Sequence, residues 1–276
     1  AFSNGQTGIV FKAGEGVGTI TKPGLPLNVG QAAINPVPRQ MISASINELA
    51  SIYHSDRNVE VEISVPGGKE LALKTWNPQL GIVGGISILG TTGVVIPFSC
   101  SAWIHSIHRG IDVARATKTF HVGASTGSTS GKAVREKHNL PETSMIDMGD
   151  FAGGMLKYLR GHPVPRITIG GGVAKLSKLA QGHLDLHSAR SQLDLDWLAE
   201  QVATLGGTGS TIEAIKKANS ALEVFELAES HNLPLADRIA DKARITALNV
   251  LSGAPVAVEI LVFNRQGQLI GMAHGW

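Results

Sequence analysis

Short apolar segments alternate with helix-like segments through the middle of this 276-residue chain. Each apolar segment is followed by a longer stretch whose apolar residues recur at helical spacing. The strands are predicted at residues 120–124, 145–148 and 166–169, and the helices at 132–139, 151–161 and 173–181. Such βαβ repetition predicts a parallel sheet covered by helices, because a right-handed crossover returns each strand beside the others.

The regions on either side of these repeats have other patterns. Before them, residues 59–65 and 71–76 alternate apolar and polar side chains around Pro66-Gly67-Gly68, which predicts a β-hairpin. A helix is predicted at residues 41–53 from its helical apolar spacing. A block of helices is expected from Asp194 to Leu251, followed by a closing hairpin at residues 256–273.

We therefore expect an α/β fold mixed with α+β, divided into two domains. The first, residues 1–95, is predicted to be a β-rich α+β domain. The second, residues 96–276, is predicted to hold the βαβ units, the helical block and the closing hairpin.

Charge and cysteine content exclude several classes of protein. The net charge is only +2, so no strong basic field favours a nucleic-acid partner. No run reaches the ~18 apolar residues of a membrane helix, and the first residues carry no signal-peptide pattern. The single cysteine, Cys100, excludes a disulfide framework and fits a reducing compartment. We expect a cytoplasmic protein without a membrane partner, and a homo-oligomer is left open.

The glycine-rich run Gly14-Glu15-Gly16-Val17-Gly18 follows an apolar segment, as a dinucleotide-binding loop does. In that motif a helix must begin directly after the loop, because its N-terminal amides hold the phosphate. Here Pro23 and Pro26 follow instead, and prolines at this spacing do not carry a helix. The dinucleotide interpretation therefore fails, and a turn between extended segments is the alternative.

A second glycine-bounded loop spans residues 127–133. It lacks the four-residue spacing of a phosphate-binding Walker loop, and Ala133 stands where Ser or Thr would reach a metal. The loop nevertheless follows a predicted strand and opens a predicted helix, so contact with an anion and ordinary helix capping both remain open.

Two histidine pairs have spacings that place imidazoles on one helix face. They are His105 with His108 and His183 with His187. Neither pair has a third candidate ligand nearby in sequence, so packing or surface roles are favoured over a metal site. A hydrolase is disfavoured because no Gly-x-Ser-x-Gly elbow occurs.

Several ordered motifs together resemble one family. They are the runs at residues 14–26, 33–39, 74–82 and 84–93, then Pro97, Ser99 and Trp103, the turn at 149–153, the lysine helix at 175–183, and His187-Ser188. They are similar to the CbiD family of cobalt-precorrin-5B (C1)-methyltransferases. The likeness extends from Gly14 to Ser188 and weakens through the later helical block.

The resemblance implies transfer of a methyl group from S-adenosylmethionine, the expected co-substrate, to C1 of a cobalt-corrinoid precursor, with no metal held by the protein. The candidate catalytic residues are Glu15, Thr91 and Thr92. The candidate cofactor-binding residues are Gly84, Gly85, Ser87, Gly90, Gly93 and Asp150. Basic and polar candidates for the carboxylate-rich substrate are Lys22, Arg39, Lys74, Ser128, Lys175, Lys178 and His187. Thr91 and Thr92 are equally able to satisfy their own turn.

The chain also departs from that family's pattern. A Gly-Tyr-Thr-Thr-Gly-type motif with a cysteine is expected before Gly14 and does not occur, which suggests a truncated or processed first domain. Cys100 and Ser101 stand where acidic residues are common, as do Gly131 and Lys132. These differences bear on which tetrapyrrole is accepted. The alternative function is a non-catalytic corrinoid-binding or chaperone protein on the same scaffold.

Overall fold

The computed structural model describes residues 8–90 and 99–276. Backbone proximity divides the chain into two compact units, Ala1–Ala102 and Trp103–Trp276. Each unit has its own hydrophobic core. No helix in the described part of the chain combines the length and the apolar character needed to cross a membrane.

The second unit is built on a five-stranded sheet in the order β6-β5-β7-β8-β9. Its strands are β5 (His121–Ser125), β6 (Met145–Asp147), β7 (Arg166–Gly172), β8 (Ala257–Phe263) and β9 (Leu269–Ala273). The first four are mutually parallel, and β9 pairs antiparallel with β8. The predicted parallel sheet, its closing hairpin and the mixed α/β fold class are therefore confirmed.

Eight helices accompany this sheet in the described residues. They are α3 (Cys100–Ala116), α4 (Ser128–His138), α5 (Ala152–Gly161), α6 (Val173–Ala180), α7 (Leu195–Thr204), α8 (Gly209–Lys216), α9 (Ala221–Ser230) and α10 (Leu235–Leu251). Asp194 caps the start of helix α7, since its carboxylate accepts the amide of Trp197 at 3.0 Å, and such capping fixes the first turn. Because periodicity and caps act locally, α4, α5 and α6 each end within one residue of their predicted ends at residues 139, 161 and 181.

Helices α4 and α6 cover opposite faces of the sheet. A Cβ built at Gly170 would meet the side chain of Val134 in α4, whereas one at Gly171 would meet Leu176 in α6. Successive residues of a strand point to opposite faces, so the two helices lie on different sides. Helix α10 packs against α5 and α6, and this side holds the larger core.

The first unit contains two small sheets and two helices among its described residues. Its elements are β1 (Ile9–Ala13), β2 (Thr19–Ile20), α1 (Pro36–Ile52), β3 (Val59–Ile63), α2 (Gly68–Ala72) and β4 (Ile82–Val83). Strands β1 and β3 pair in parallel, and β2 and β4 pair antiparallel. Helix α1 begins with proline at its first position, where the missing amide hydrogen is tolerated.

The predicted hairpin at residues 59–76 is wrong. Its first half is strand β3, but β3 pairs in parallel with β1, about fifty residues earlier in the chain. Its second half begins as helix α2 after Gly67, which has a left-handed φ of 73°. Gly68 then packs against the backbone of Gly16, where a Cβ would lie 2.2 Å from the Gly16 carbonyl oxygen. Tertiary packing therefore overrides the local alternation of residues 71–76.

Helix α1 confirms the prediction at residues 41–53, but its apolar residues are not all buried. Met41, Leu49 and Ile52 are more than half exposed. Ala50 is its buried residue. Helical spacing therefore identified the element without identifying what covers its apolar side chains.

Candidate functional site

In the sheet of the second unit, the chain adds its strands on opposite sides of β5, so the strand order reverses between β5 and β7. From β5 the chain passes through α4 to β6 on one side, and it later returns to β7 on the other side. Connections that leave neighbouring parallel strands toward opposite faces leave a crevice beyond their carboxyl ends. This topological switch point is where open α/β sheets bind ligands.

The carboxyl ends of three strands are aligned at this crevice. Ser125 of β5 is in register with Asp147 of β6 on one side and with Gly170 of β7 on the other. The Ser125 carbonyl oxygen accepts the amides of Met148 and Gly149 at 3.0 and 3.2 Å. These bonds fix the turn after β6 against the end of β5, so residues from separate motifs form one continuous edge.

Glycines keep the crevice open at both of its sides. A Cβ at Gly171 would lie 2.9 Å from the Thr126 hydroxyl oxygen, so glycine allows the loop after β5 to approach β7 closely. At Gly127 and Gly172, in contrast, no described protein atom lies within 4 Å of the Cβ position. Backbone at the two loops is therefore accessible to a ligand.

Asp147 is a half-buried carboxylate at the end of β6. Its Oδ1 accepts the amide of Gly149 at 3.3 Å, and no basic side chain in the described residues pairs with it. Burial raises the pKa of Asp147 above its ordinary value. The sequence prediction missed this residue, although an acid at a strand end twenty residues after Gly127 is a signal that could have found it.

Two aromatic rings lie beside the Asp147 turn. The indole Nε1 of Trp103 donates to the carbonyl oxygen of Asp147 at 3.0 Å. The ring of Trp103 lies 5.9 Å from that of Phe151, centroid to centroid. Gly149, with a φ of 52°, lies directly under the indole, where a Cβ would be 2.9 Å from Cζ2. The aromatic pair therefore depends on glycine at this position.

Three of the residues predicted from sequence form a cluster next to this turn. The ammonium of Lys175 pairs with the carboxylate of Asp150. Lys178 is buried, and its ammonium donates to the carbonyl oxygen of Leu186 at 3.2 Å. Burial, reinforced by the charge of Lys175, lowers the pKa of Lys178. The sequence predicts that Asp150 binds the cofactor and that Lys175 and Lys178 bind the substrate. The structure pairs Asp150 with Lys175.

The other two predicted residues of this unit lie at the surface or near it. Ser128 is the exposed first residue of α4. His187 follows Leu186, and its amide donates to Asp185 at 3.1 Å. His187 therefore lies in the segment that Lys178 holds, while Ser128 borders the switch-point crevice.

The glycine motifs of the first unit pack against each other. Gly16 accepts the amide of Ile86 at 3.0 Å, and a Cβ at Gly85 would lie 2.2 Å from the Gly16 carbonyl oxygen. Gly16 and Gly85 are buried, whereas Glu15 is exposed. These glycines therefore allow two backbones to meet closely, and Glu15 remains available at the surface.

The remaining candidates near this contact differ in exposure. Ser87 donates to the buried amide side chain of Asn77 at 3.3 Å. Gly84 and Gly90 are exposed, and no described atom lies within 4 Å of their Cβ positions. Thr91, Thr92 and Gly93 lie outside the described residues, so their predicted roles stay predictions.

The three basic candidates of the first unit have different surroundings. Arg39 donates to the carbonyl oxygens of Ile34 and Ala32 at 2.7 and 3.0 Å, and burial lowers its pKa. The stem of Lys22 lies over Gly81, and Lys74 is exposed. Arg39 therefore stabilises the local backbone, while Lys74 has the most accessible charge of the three.

The two histidine pairs each have one exposed member, His105 and His187. His108 stacks on Tyr158 with ring centroids 3.9 Å apart, and burial lowers its pKa. Within residues 8–90 and 99–276, no group of three or more His, Cys, Asp or Glu side chains is arranged to hold a metal ion.

The second unit is thus a doubly wound α/β unit with a topological switch point between β5 and β7, and a separate glycine-packed α+β unit precedes it in the chain. The CbiD family model matches residues 1–97, and the model described as CbiD, C-terminal domain matches residues 185–274. This chain belongs to the CbiD family.

Relatives named cobalt-precorrin-5B C(1)-methyltransferase are similar over almost the whole chain. The protein of Paramagnetospirillum magneticum is 59% identical, over 97% of this chain and 74% of the relative. Those of a Bradyrhizobium species and Brucella anthropi are 55% and 59% identical, over 98% and 96% of this chain and 72% of each relative. A crystal structure of the cobalamin biosynthesis protein CbiD from Archaeoglobus fulgidus aligns with 22% identity and a TM-score of 0.26. The alignment covers 82% of this chain and 58% of the Archaeoglobus chain.

Proposed function

We propose that this chain methylates C1 of cobalt-precorrin-5B in cobalamin biosynthesis, with S-adenosylmethionine as the methyl donor. The observation that carries the proposal is the 55–59% identity, over nearly the full chain, to relatives named for that reaction. The switch-point crevice of the second unit supplies a place for a small-molecule ligand on a rigid sheet.

The chemistry required of the protein is mainly positioning. The sulfonium methyl group must lie in line with a nucleophilic ring carbon, and such orientation can lower a barrier by about 7–11 kcal/mol. The ring carbon supplies the electron pair of the new carbon–carbon bond, the C–S electron pair stays on the sulfur of S-adenosylhomocysteine, and the methylated pigment then releases one proton to solvent. Methyl transfer of this kind needs neither a metal nor a covalent enzyme intermediate.

Accessible lysines are suited to the acidic rim of the substrate. Lys74 is exposed in the first unit, and Lys175 retains partial exposure beside Asp150. A lysine that meets a substrate carboxylate forms a charge-assisted hydrogen bond, which is stronger than a bond between neutral groups.

The decisive experiment is an anaerobic incubation of the protein with cobalt-precorrin-5B and S-adenosylmethionine, followed by mass spectrometry of the pigment. A mass gain that corresponds to one methyl group in place of one hydrogen supports the enzyme. Tight pigment binding without any mass gain would instead support the non-catalytic corrinoid-binding alternative. S-adenosylhomocysteine should appear in equal amount to the methylated product.

A matched pair of lysine variants tests the role of Lys74 in this reaction. Lys74→Met should raise the KM for the pigment about five- to tenfold, because one charge-assisted contact is lost. Lys69→Met changes another exposed lysine of the same region and should leave the KM unchanged. Equal KM values for the two variants would remove Lys74 from the substrate site.

A further inference from the structure

We propose that the adenosine part of the methyl donor binds at the switch point of the second unit, with its ribose hydroxyls donating to Asp147. The inference rests on the proposed methyltransferase function. It assigns the donor to the carboxyl ends of β6, β5 and β7, and not to the predicted cofactor residues Gly84, Gly85, Ser87, Gly90 and Gly93.

The position of Asp147 in the sheet is the first reason. Asp147 ends the strand that pairs directly with β5, and β5 leads into the glycine loop at Gly127. In doubly wound nucleotide-binding units, an acidic residue about twenty residues after the glycine loop accepts the ribose hydroxyls. Asp147 satisfies both the strand order and this spacing.

The chemistry of the carboxylate is the second reason. Asp150, three residues later, pairs with Lys175, whereas Asp147 has no basic partner among the described residues. A half-buried carboxylate that accepts a single amide has lone pairs left to satisfy. A vicinal diol supplies two neutral donors to such a group without adding charge.

The direction of the side chains is the third reason. Paired residues of a parallel sheet point to the same face, so Asp147 and Ser125 project on one side. A Cβ at Gly131 of α4 would lie 2.8 Å from the Ser125 hydroxyl, which identifies that side as the α4 face. Gly172 alternates with Gly170, which also faces α4, so the open space beside Gly172 lies on the face that Asp147 shares.

The path across this face suits an extended nucleoside. The path begins at Asp147, crosses the loop at Gly127 and reaches Gly172. A Cβ added at either glycine would have no described atom within 4 Å. The indole of Trp103 contacts the main chain of Asp147 from the face that Ile146 and α3 share, so the aromatic pair borders the end of β6 and lies outside this path. Charge on Asp147 also favours a donor that carries a sulfonium cation.

Binding of S-adenosylhomocysteine, measured by calorimetry, tests the assignment without the pigment. Asp147→Asn should weaken binding at least about tenfold, since hydrogen bonds to a charged group are lost. Asp241→Asn, at an exposed site on α10, should bind like the wild type. The 2′-deoxy form of S-adenosylhomocysteine should discriminate less between wild type and Asp147→Asn, because it lacks one of the two donors.

A second pair of variants fills the space rather than removing a charge. Gly172→Leu should fold, because its backbone has φ −74° and ψ 161° and no described atom blocks the side chain. It should nevertheless abolish S-adenosylhomocysteine binding. Gly209→Leu adds the same side chain at the start of α8, also without neighbours within 4 Å, and should bind normally.

Hydrogen exchange with and without S-adenosylhomocysteine locates the ligand independently of any variant. Slower exchange in peptides covering residues 126–131 and 145–150 supports the assignment. Protection confined to residues 80–90 overturns it, as does wild-type affinity of both Asp147→Asn and Gly172→Leu. If the wild type methylates the pigment while either overturning result is found, the function stands and only the donor site is wrong. If the wild type neither binds S-adenosylhomocysteine nor methylates, both proposals fail.

Discussion

The carboxylate of Asp150, in the turn after β6, forms an ion pair with the ammonium of Lys175, in the helix after β7. The same ammonium lies 3.4 Å from the carbonyl oxygen of Leu186. Two βα connections and the segment that follows α6 are thereby joined at one point. The pair is partly buried, so its removal exposes charges that the fold has partly desolvated.

A double-mutant cycle measures this pair. Asp150→Asn and Lys175→Met should each lower the free energy of unfolding by about 1–2 kcal/mol, with a coupling of about 1 kcal/mol. Urea denaturation gives the four values. The exposed pair Lys132–Glu136, at 3.8 Å in α4, is the matched control and should couple by no more than about 0.5 kcal/mol. Additive effects of the Asp150 and Lys175 changes would contradict a stabilising ion pair.

Gly85→Ala tests the close contact between the glycine motifs. The new methyl group would lie 2.2 Å from the Gly16 carbonyl oxygen, so backbone must move. We expect a loss of at least about 2 kcal/mol in the free energy of unfolding. Gly209→Ala, where nothing lies within 4 Å, should be neutral or slightly stabilising. If the two variants melt alike, the Gly16–Gly85 contact is not a structural requirement.

Asp147→Asn should increase stability even as it weakens donor binding. Burial raises the pKa of Asp147, so ionisation penalises the native state above that raised pKa. We expect the variant to gain about 0.5–1 kcal/mol at pH 8, a small value because solvent screens a half-exposed group. The gain should vanish below the ordinary pKa of 3.8, where both states are protonated. A loss of stability at pH 8 would mean that the carboxylate is satisfied within the protein.

A polar network on the α4 face makes stability depend on pH. The Thr168 hydroxyl donates to Glu259 at 2.8 Å, so its contact of 2.8 Å with His121 requires His121 Nε2 to donate. Burial, with the nearby charge of His138, lowers the pKa of His121 to about 4. A lowered histidine pKa means that the unfolded chain binds more protons, so stability is full above pH 6.5 and falls as the pH drops toward 4.

His121→Gln retains a donor for Thr168 but does not titrate. Between pH 6.5 and 4 the free energy of unfolding should fall in both proteins, and the fall should be about 1–2 kcal/mol smaller in His121→Gln than in the wild type. This figure allows for solvent screening of the half-buried ring. Denaturant titrations at several pH values provide the comparison. His54→Gln, at an exposed position, should follow the wild-type curve. Parallel curves for His121→Gln and wild type would show that groups other than His121 set the acid sensitivity.

The sequence alone determined most of the second unit. Helices α9 (Ala221–Ser230) and α10 (Leu235–Leu251) both lie within the helical block that the sequence predicts from Asp194 to Leu251. Each helix buries an apolar stripe and each strand an apolar face against a continuous core. The spacing of apolar residues therefore indicates whether a segment is a helix or a strand, and where it ends. The ordered family motifs likewise indicated the chain's family before any contact was known.

Tertiary structure decided which residues meet. The parallel pairing of β1 with β3 depends on a partner about fifty residues away, and the alternation of β3 is the same for a hairpin or a parallel pair. Asp150 and Asp147 are equivalent in composition, but only contacts across the sheet give the first a lysine and leave the second a carboxylate beside an open crevice. Gly16 and Gly85 carry no side chain to reveal their contact, since what selects glycine there is the neighbouring backbone.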